Sequence, residues 1–311
     1  RLDGTTLAVL FHFACHPIMG APGGCNTADL SGIAAGVLEK GLGHGALALF
    51  LQGCAGDINP VGYKDPQRPR NAKPLAKLLG LSALKAVRGI TCSQAGPLKV
   101  LRETIELPRA SLAGRIEKLE VERGRLLASL KGTTLDFKSF LPLLVKYRLF
   151  PEHPSAPAHD YLREQREGQP GLRGLDADNR RHLDEYLANI EVMEQLVRTG
   201  VNLELLRKHH AANRAAAGRP LSVDVTGVRL GELALVTFPG ELSVELGLNI
   251  KKASPHEHTL VVGYTNGYQY YAPTEAQLAN SGAAQEDCDC RLGPGWQRLF
   301  EERAGNILRA L

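Results

Sequence analysis

No apolar run in this 311-residue sequence approaches the ~20 residues that a helix needs to span a bilayer. Basic residues are scattered, the net charge is only +4, and no basic block carries interleaved aromatics, so nothing points to nucleic acid. A Cys-x-x-Cys pair is also missing. The six cysteines are Cys15, Cys25, Cys54, Cys92, Cys288 and Cys290, and a single residue separates the last two. That spacing is not the one zinc ribbons or thioredoxin-like sites use. Cys15, Cys25 and Cys54 are expected as small buried thiols, with a disulfide from Cys25 to Cys288 or Cys290 as the alternative. The sequence opens on Arg1 and shows no signal peptide; a processed chain or a fragment is expected, compatible with an extracytoplasmic or secreted location.

What is present is ordinary for a globular chain: 43% hydrophobic and 23% charged residues, over a length that suits one or two domains. Short apolar runs bounded by glycine or proline predict strands over 5–13, 46–52, 98–107 and 259–264. A hairpin-like pair around Gly231 ends near Phe238. Helical spacing of apolar residues predicts helices over 32–40, 75–88, 112–130, 179–210, 242–251 and 296–311. The fold class is therefore α/β or α+β: a mixed β-sheet core with flanking helices, and a mainly helical insertion at about 108–218. Residues 137–150 are apolar and basic and contain Pro142. They are expected to pack on the main body; the sharper reading is a lid or a peripheral membrane contact for a lipid substrate.

Three predicted strand ends carry chemistry. His16 follows the first, where Pro17 stops the ladder, and this is the usual place for ligand-binding groups in α/β sheets. Asp29 or Ser31 is positioned to cap the next helix. The glycine-rich loop Gly53-Cys54-Ala55-Gly56-Asp57-Ile58-Asn59-Pro60 lets backbone amides approach a ligand, and Asp57 either orients a histidine or closes a turn. Glu241 and a tyrosine cluster follow later strands. Imidazole, carboxylate and phenolate together are plausible zinc ligands, and a catalytic zinc keeps one position open for water.

Five segments occur in one order: Phe13-Ala14-Cys15-His16-Pro17; Thr27-Ala28-Asp29-Leu30-Ser31-Gly32; Leu49 to Pro60; Phe238-Pro239-Gly240-Glu241; and Gly263 to Glu275 with Asn266-Gly267-Tyr268-Gln269-Tyr270-Tyr271. They resemble the catalytic domain of the neutral/alkaline (non-lysosomal) ceramidases, while the middle of the chain lies outside the likeness. The resemblance implies one ceramidase-like catalytic domain over 1–311, partial at its N-terminus. It also implies a zinc-dependent hydrolase of sphingolipid metabolism, which cleaves the amide of an N-acyl lipid or related small molecule with metal-bound water. It assigns His16, Glu241 and Tyr271 as metal ligands, Asn59 and Asp57 as catalytic, and Asp29, Gly56, Asn266 and Tyr268 as substrate contacts.

The sequence departs from the family at three places. The family's His-Thr-His block is absent, His12 is a poor substitute on an alternating strand, and the further histidine ligand is expected outside this chain. Asn59 stands where the family has serine in Gly-Asp-x-Ser-Pro; an amide is no nucleophile, but it can donate to an oxyanion. A tyrosine used downstream of the Thr-x-Glu run has no counterpart around Asn280 to Gly282. Two alternatives follow: a ceramidase-like lipid- or glycan-binding protein without catalysis, or a zinc hydrolase of another bond such as an ester.

Overall fold

The computed structural model describes residues 1, 3–20, 25–92, 96–168, 171–279 and 284–311. It contains β1 (Ala8–Phe13), α1 (Asp29–Leu42), β2 (Leu47–Gln52), α2 (Lys73–Val87), β3 (Leu98–Leu107), α3 (Ala113–Ser129), α4 (Phe137–Leu149), α5 (Ala158–Glu167) and α6 (Gly171–Ala215). After these come β4 (Leu221–Leu230), β5 (Leu233–Thr237), β6 (Glu241–Leu242), α7 (Val244–Ala253), β7 (His258–Val262), β8 (Tyr271–Ala272), α8 (Glu275–Ala279) and α9 (Trp296–Ala310). This is the mixed α/β class, with a long helix in mid-chain. The chain divides into two compact units, one formed by Arg1–Ala113 with Leu205–Leu311, the other by Gly114–Glu204.

The first unit is built on sheets. β1 and β2 pair in parallel, and α1 and α2 cover one face through Phe11, Ala34, Leu38 and Leu84. The main sheet has the order β3-β4-β5-β7, antiparallel except for the parallel β5–β7 pair. Gly231, at φ 60°, makes the turn between β4 and β5. Residues of α7 and α9 bury against this sheet around Phe238, Trp296 and Phe300, with the Phe238 and Phe300 rings 4.8 Å apart. Each such fully buried side chain contributes roughly 1.5–3 kcal/mol by leaving water.

The ends of these strands are tied together by backbone hydrogen bonds. Gly53 N–H donates to Phe13 C=O (2.9 Å), Gly263 N–H to Gln52 C=O (3.0 Å) and Phe238 N–H to Val262 C=O (2.8 Å). The carboxyl ends of β1, β2, β5 and β7 thus meet at one place. Gly56 N–H donates to Leu242 C=O at 2.9 Å, which brings the loop after β2 against β6. A Cβ at Gly56 would lie 2.6 Å from the Glu241 carbonyl, so this contact requires glycine.

The second unit is helical. Phe140, Tyr147 and Leu183 form its core, with Tyr186 stacked on Phe140 at 4.3 Å. Asp136 and Ser139 form a capping box that starts α4, and the helix runs through Pro142. At its centre Asp176 accepts hydrogen bonds from Tyr147 (2.9 Å), Ser155 (2.5 Å) and Tyr161 (2.6 Å).

Several local expectations are corrected. Neither Asp29 nor Ser31 caps α1: the helix begins at Asp29 itself, whose Oδ1 accepts from the next amide, Leu30 N–H, at 2.6 Å. Ser31 instead donates to Ala28 C=O at 2.7 Å. His209-His210 does not end α6: His209 is fully buried against Asp289 and the helix runs on to Ala215, after which Ala217 and Gly218, both at positive φ, lead to Pro220. Cys25 is exposed rather than buried, and no disulfide joins it to Cys288 or Cys290 among the described residues, whereas Cys15 and Cys54 are buried thiols. Burial pushes the Cys54 thiol up to about 12, so it is inert at neutral pH.

Candidate functional site

β6 and β8 pair in parallel, in a register that sets Glu241 opposite Tyr271. Glu241 N–H donates to Tyr270 C=O at 2.9 Å, and Tyr271 N–H to Asp289 C=O at 3.1 Å. Across from them, the Ile58 carbonyl accepts from both His16 groups, the backbone N–H at 2.9 Å and ring Nδ1 at 3.0 Å. A carbonyl only accepts, so Nδ1 carries the hydrogen and Nε2 is the free ring position. Nε2 lies 2.9 Å from Glu241 Oε2 and 3.2 Å from the Tyr271 hydroxyl. Tyr268 donates to the other Glu241 oxygen, Oε1, and Tyr264 also bonds this carboxylate.

Neutral His16 in this tautomer presents a lone pair, as does the carboxylate. Two acceptors 2.9 Å apart need a proton or a cation between them. The hydrogen bond to Glu241 accordingly raises the His16 pKa despite burial. Burial pushes the Glu241 carboxyl up, but hydrogen bonds from His16, Tyr264 and Tyr268 outweigh it and hold the group below its ordinary range. Burial, with the Glu241 charge, raises the hydroxyls of Tyr264, Tyr268 and Tyr271, so all three stay protonated donors at neutral pH.

The segment that delivers the tyrosines is strained. Tyr264 (φ 54°), Asn266 (φ 61°) and Tyr270 (φ 65°) occupy the left-handed region, at about 1–3 kcal/mol each. Tyr270 is held from outside by Lys208 and Arg291 over its ring (4.3 and 4.7 Å) and by the edge of buried His209.

Other predicted residues sit as follows. Tyr268 is in the cluster. Asn59 is half-buried, directly after the Ile58 carbonyl that anchors His16. Its side chain makes no hydrogen bond among the described residues, and the turns on either side are closed by backbone bonds, Ile58 to Ala55 and Tyr63 to Pro60. Asp57 orients no histidine: it accepts from Val244 N–H at the start of α7 (2.8 Å) and from Gln277 (3.0 Å). Gly56 has its amide taken up by Leu242. Asn266 is exposed and donates to Thr226. Asp29 is buried at φ 47° with Oδ2 lacking a hydrogen-bond partner among the described residues. His12 bonds Val261 C=O on β7, away from His16. The Asn280 to Gly282 segment lies outside the described residues. Sequence reading missed Tyr264 as a third phenol on Glu241, although four tyrosines between 264 and 271 signalled it. It also missed the Ile58 carbonyl, a backbone atom that no side-chain pattern reports.

No family model and no curated protein matches the chain. Solved structures do. A neutral ceramidase from Pseudomonas aeruginosa superposes over 99% of this chain at TM-score 0.52 and 16% identity. A ceramidase complexed with C2 superposes over 98% at 0.53 and 14%. The fold is shared with the neutral ceramidases. The chain spans 45% of each of these structures.

Among the described residues no group of three His, Cys, Asp or Glu side chains gathers as a metal site. The donor set at Glu241 is instead one imidazole, one carboxylate and a phenol within 3.2 Å of His16 Nε2. The imidazole and the carboxylate are donors of the kind a zinc takes, with the phenol as a third group beside them.

Proposed function

We propose that this chain carries the catalytic centre of a zinc-dependent hydrolase that cleaves a carbonyl bond, with the amide of an N-acyl lipid as the favoured substrate class. One observation carries the reading: His16 Nε2, Glu241 Oε2 and the Tyr271 hydroxyl meet at the shared ends of four strands. The shared ceramidase fold supports the substrate class. His16, Glu241 and Tyr271 would hold the metal, which lowers the pKa of a water towards ~7 and polarises a carbonyl. Ile58 fixes the His16 tautomer, so its lone pair needs no rearrangement. The protonated phenols of Tyr264 and Tyr268 orient Glu241. Asn59, rigidly placed beside the anchor of His16, donates its amide to the carbonyl oxygen of the substrate as charge develops there.

Asn59 also favours a second reading, a zinc hydrolase of an ester, because an ester has a better leaving group and does not need the serine. Contact with a lipid surface is supported by α4, which exposes Phe137, Leu141, Val145 and Leu149 at four-residue spacing beside Lys138, Lys146 and Arg148. No helix among the described residues is long and apolar enough to cross a membrane.

The test is a hydrolysis panel of N-acyl lipids, simple amides and esters, run with zinc and with chelator on wild type and Glu241→Gln. Zinc-dependent cleavage lost in the variant supports the proposal, and the preferred bond separates its two readings. No cleavage of any member, or cleavage that Glu241→Gln retains, overturns it.

A further inference from the structure

A second concave feature lies in the sheet-based unit, and none of the residues gathered at Glu241 line it. It is a cleft of about 410 Å³ lined by Arg109 after β3, Ser111, His210 and Asn213 on α6, Arg214 in its last turn, and Arg219 before β4. No carboxylate belongs to its described lining. Arg109 is clamped: Nε donates to Arg219 C=O (3.0 Å) and Nη1 to Asn213 Oδ1 (3.1 Å). Asn213 is clamped in turn, donating to Ala110 C=O (2.9 Å) and Arg291 C=O (3.1 Å). Among the described residues the Arg219 guanidinium bonds only its own-turn carbonyl at Ala216, and the Arg214 guanidinium makes no hydrogen bond or ion pair. His210 Nδ1 is buried with no hydrogen-bond partner among the described residues.

We infer that this cleft binds a phosphate or sulfate group, free or carried on a larger molecule. Three guanidiniums share one concavity without a lining carboxylate to balance them, and two retain unused N–H donors. The guanidinium fork matches tetrahedral oxyanions, and a singly charged carboxylate would offset only one of the three. The crowding registers on Arg109, where burial and then the Arg291 and Arg219 charges disfavour the cation, only partly opposed by Glu106. Glu106 itself accepts from Ser222. The clamps on Arg109 and Asn213 fix the wall before any ligand arrives, which reduces the ordering cost of binding.

Calorimetric titration of the whole chain with inorganic phosphate and with sulfate, against chloride at equal ionic strength, tests this. One saturable site for the two oxyanions and none for chloride is expected. Arg214→Gln, a surface change that breaks no bond, should weaken it about tenfold or more, with an unaltered melting temperature. Sedimentation with phosphatidylcholine vesicles, with and without phosphatidic acid, separates the sources. Phosphatidic-acid-dependent recruitment lost in Arg214→Gln assigns a headgroup; saturable phosphate binding without such recruitment assigns a free anion. Absence of both, or unchanged phosphate affinity in an Arg214→Gln/Arg219→Gln double variant, overturns the inference.

Discussion

Two buried carboxylates in this molecule are ringed by tyrosines, and they do opposite things. Asp176, in the helical unit, receives Tyr147, Ser155 and Tyr161, while Asn179 donates to the Tyr147 oxygen and Ser155 N–H to the Tyr161 oxygen. Its partners are hydroxyls that only need to donate, so the ring is closed and locks α4, α5 and α6 together. Glu241 receives phenols too, but its fourth partner is an imidazole whose free nitrogen is itself a base. That ring leaves two acceptors facing each other with a proton or cation needed between them, and Tyr264 and Tyr268 are more than a third exposed, so it is open to solvent. The difference lies in one residue, His16, and in strand ends rather than helix faces as the support.

The contrast is broken most severely at Glu241. Glu241→Gln should lower turnover of the best substrate in the hydrolysis panel by about 10³, whereas Asp176→Asn should leave turnover unchanged. Asn59→Ala comes next, about 10² in turnover with the melting temperature held; unchanged turnover and a lowered melting temperature would return Asn59 to a turn role. Asp176→Ala should cost about 3 kcal/mol in denaturant unfolding by leaving buried hydroxyls without an acceptor. Tyr264→Phe, which removes one orienting phenol, should cost about tenfold in turnover at constant KM.

Acid gives the smallest effect. Asp176 is buried, which raises its pKa, yet hydrogen bonds from Ser155, Tyr161 and Tyr147 outweigh this and lower it. A depressed folded-state pKa adds stability that is present above the unfolded carboxyl value of ~3.9 and lost as pH falls through the folded value. Unfolding of wild type should therefore become easier below about pH 4, a step that Asp176→Asn lacks in denaturant titrations.

Most strand and helix positions were legible because apolar period and glycine or proline punctuation are local. β3 falls on the predicted span, Leu98–Leu107, and the β4–β5 turn sits at Gly231. The gathering of His16, Glu241 and Tyr271 was legible because each follows a predicted strand and each matches a metal ligand in the family resemblance. What was not legible depended on long-range partners. The role of His209 was hidden because its buried ring meets Asp289 from eighty residues away. Asp57 caps α7 across 187 residues. Gly56 proved a packing glycine, since only the fold shows what a Cβ there would strike.

The most direct measurement is calorimetric titration of the chain with zinc, in wild type, His16→Ala and Asp176→Asn, all checked for folding. The account predicts one saturable equivalent in wild type and Asp176→Asn, weak because the described donors number three, and none in His16→Ala. Equal binding by His16→Ala, or no saturable binding by wild type, would contradict it.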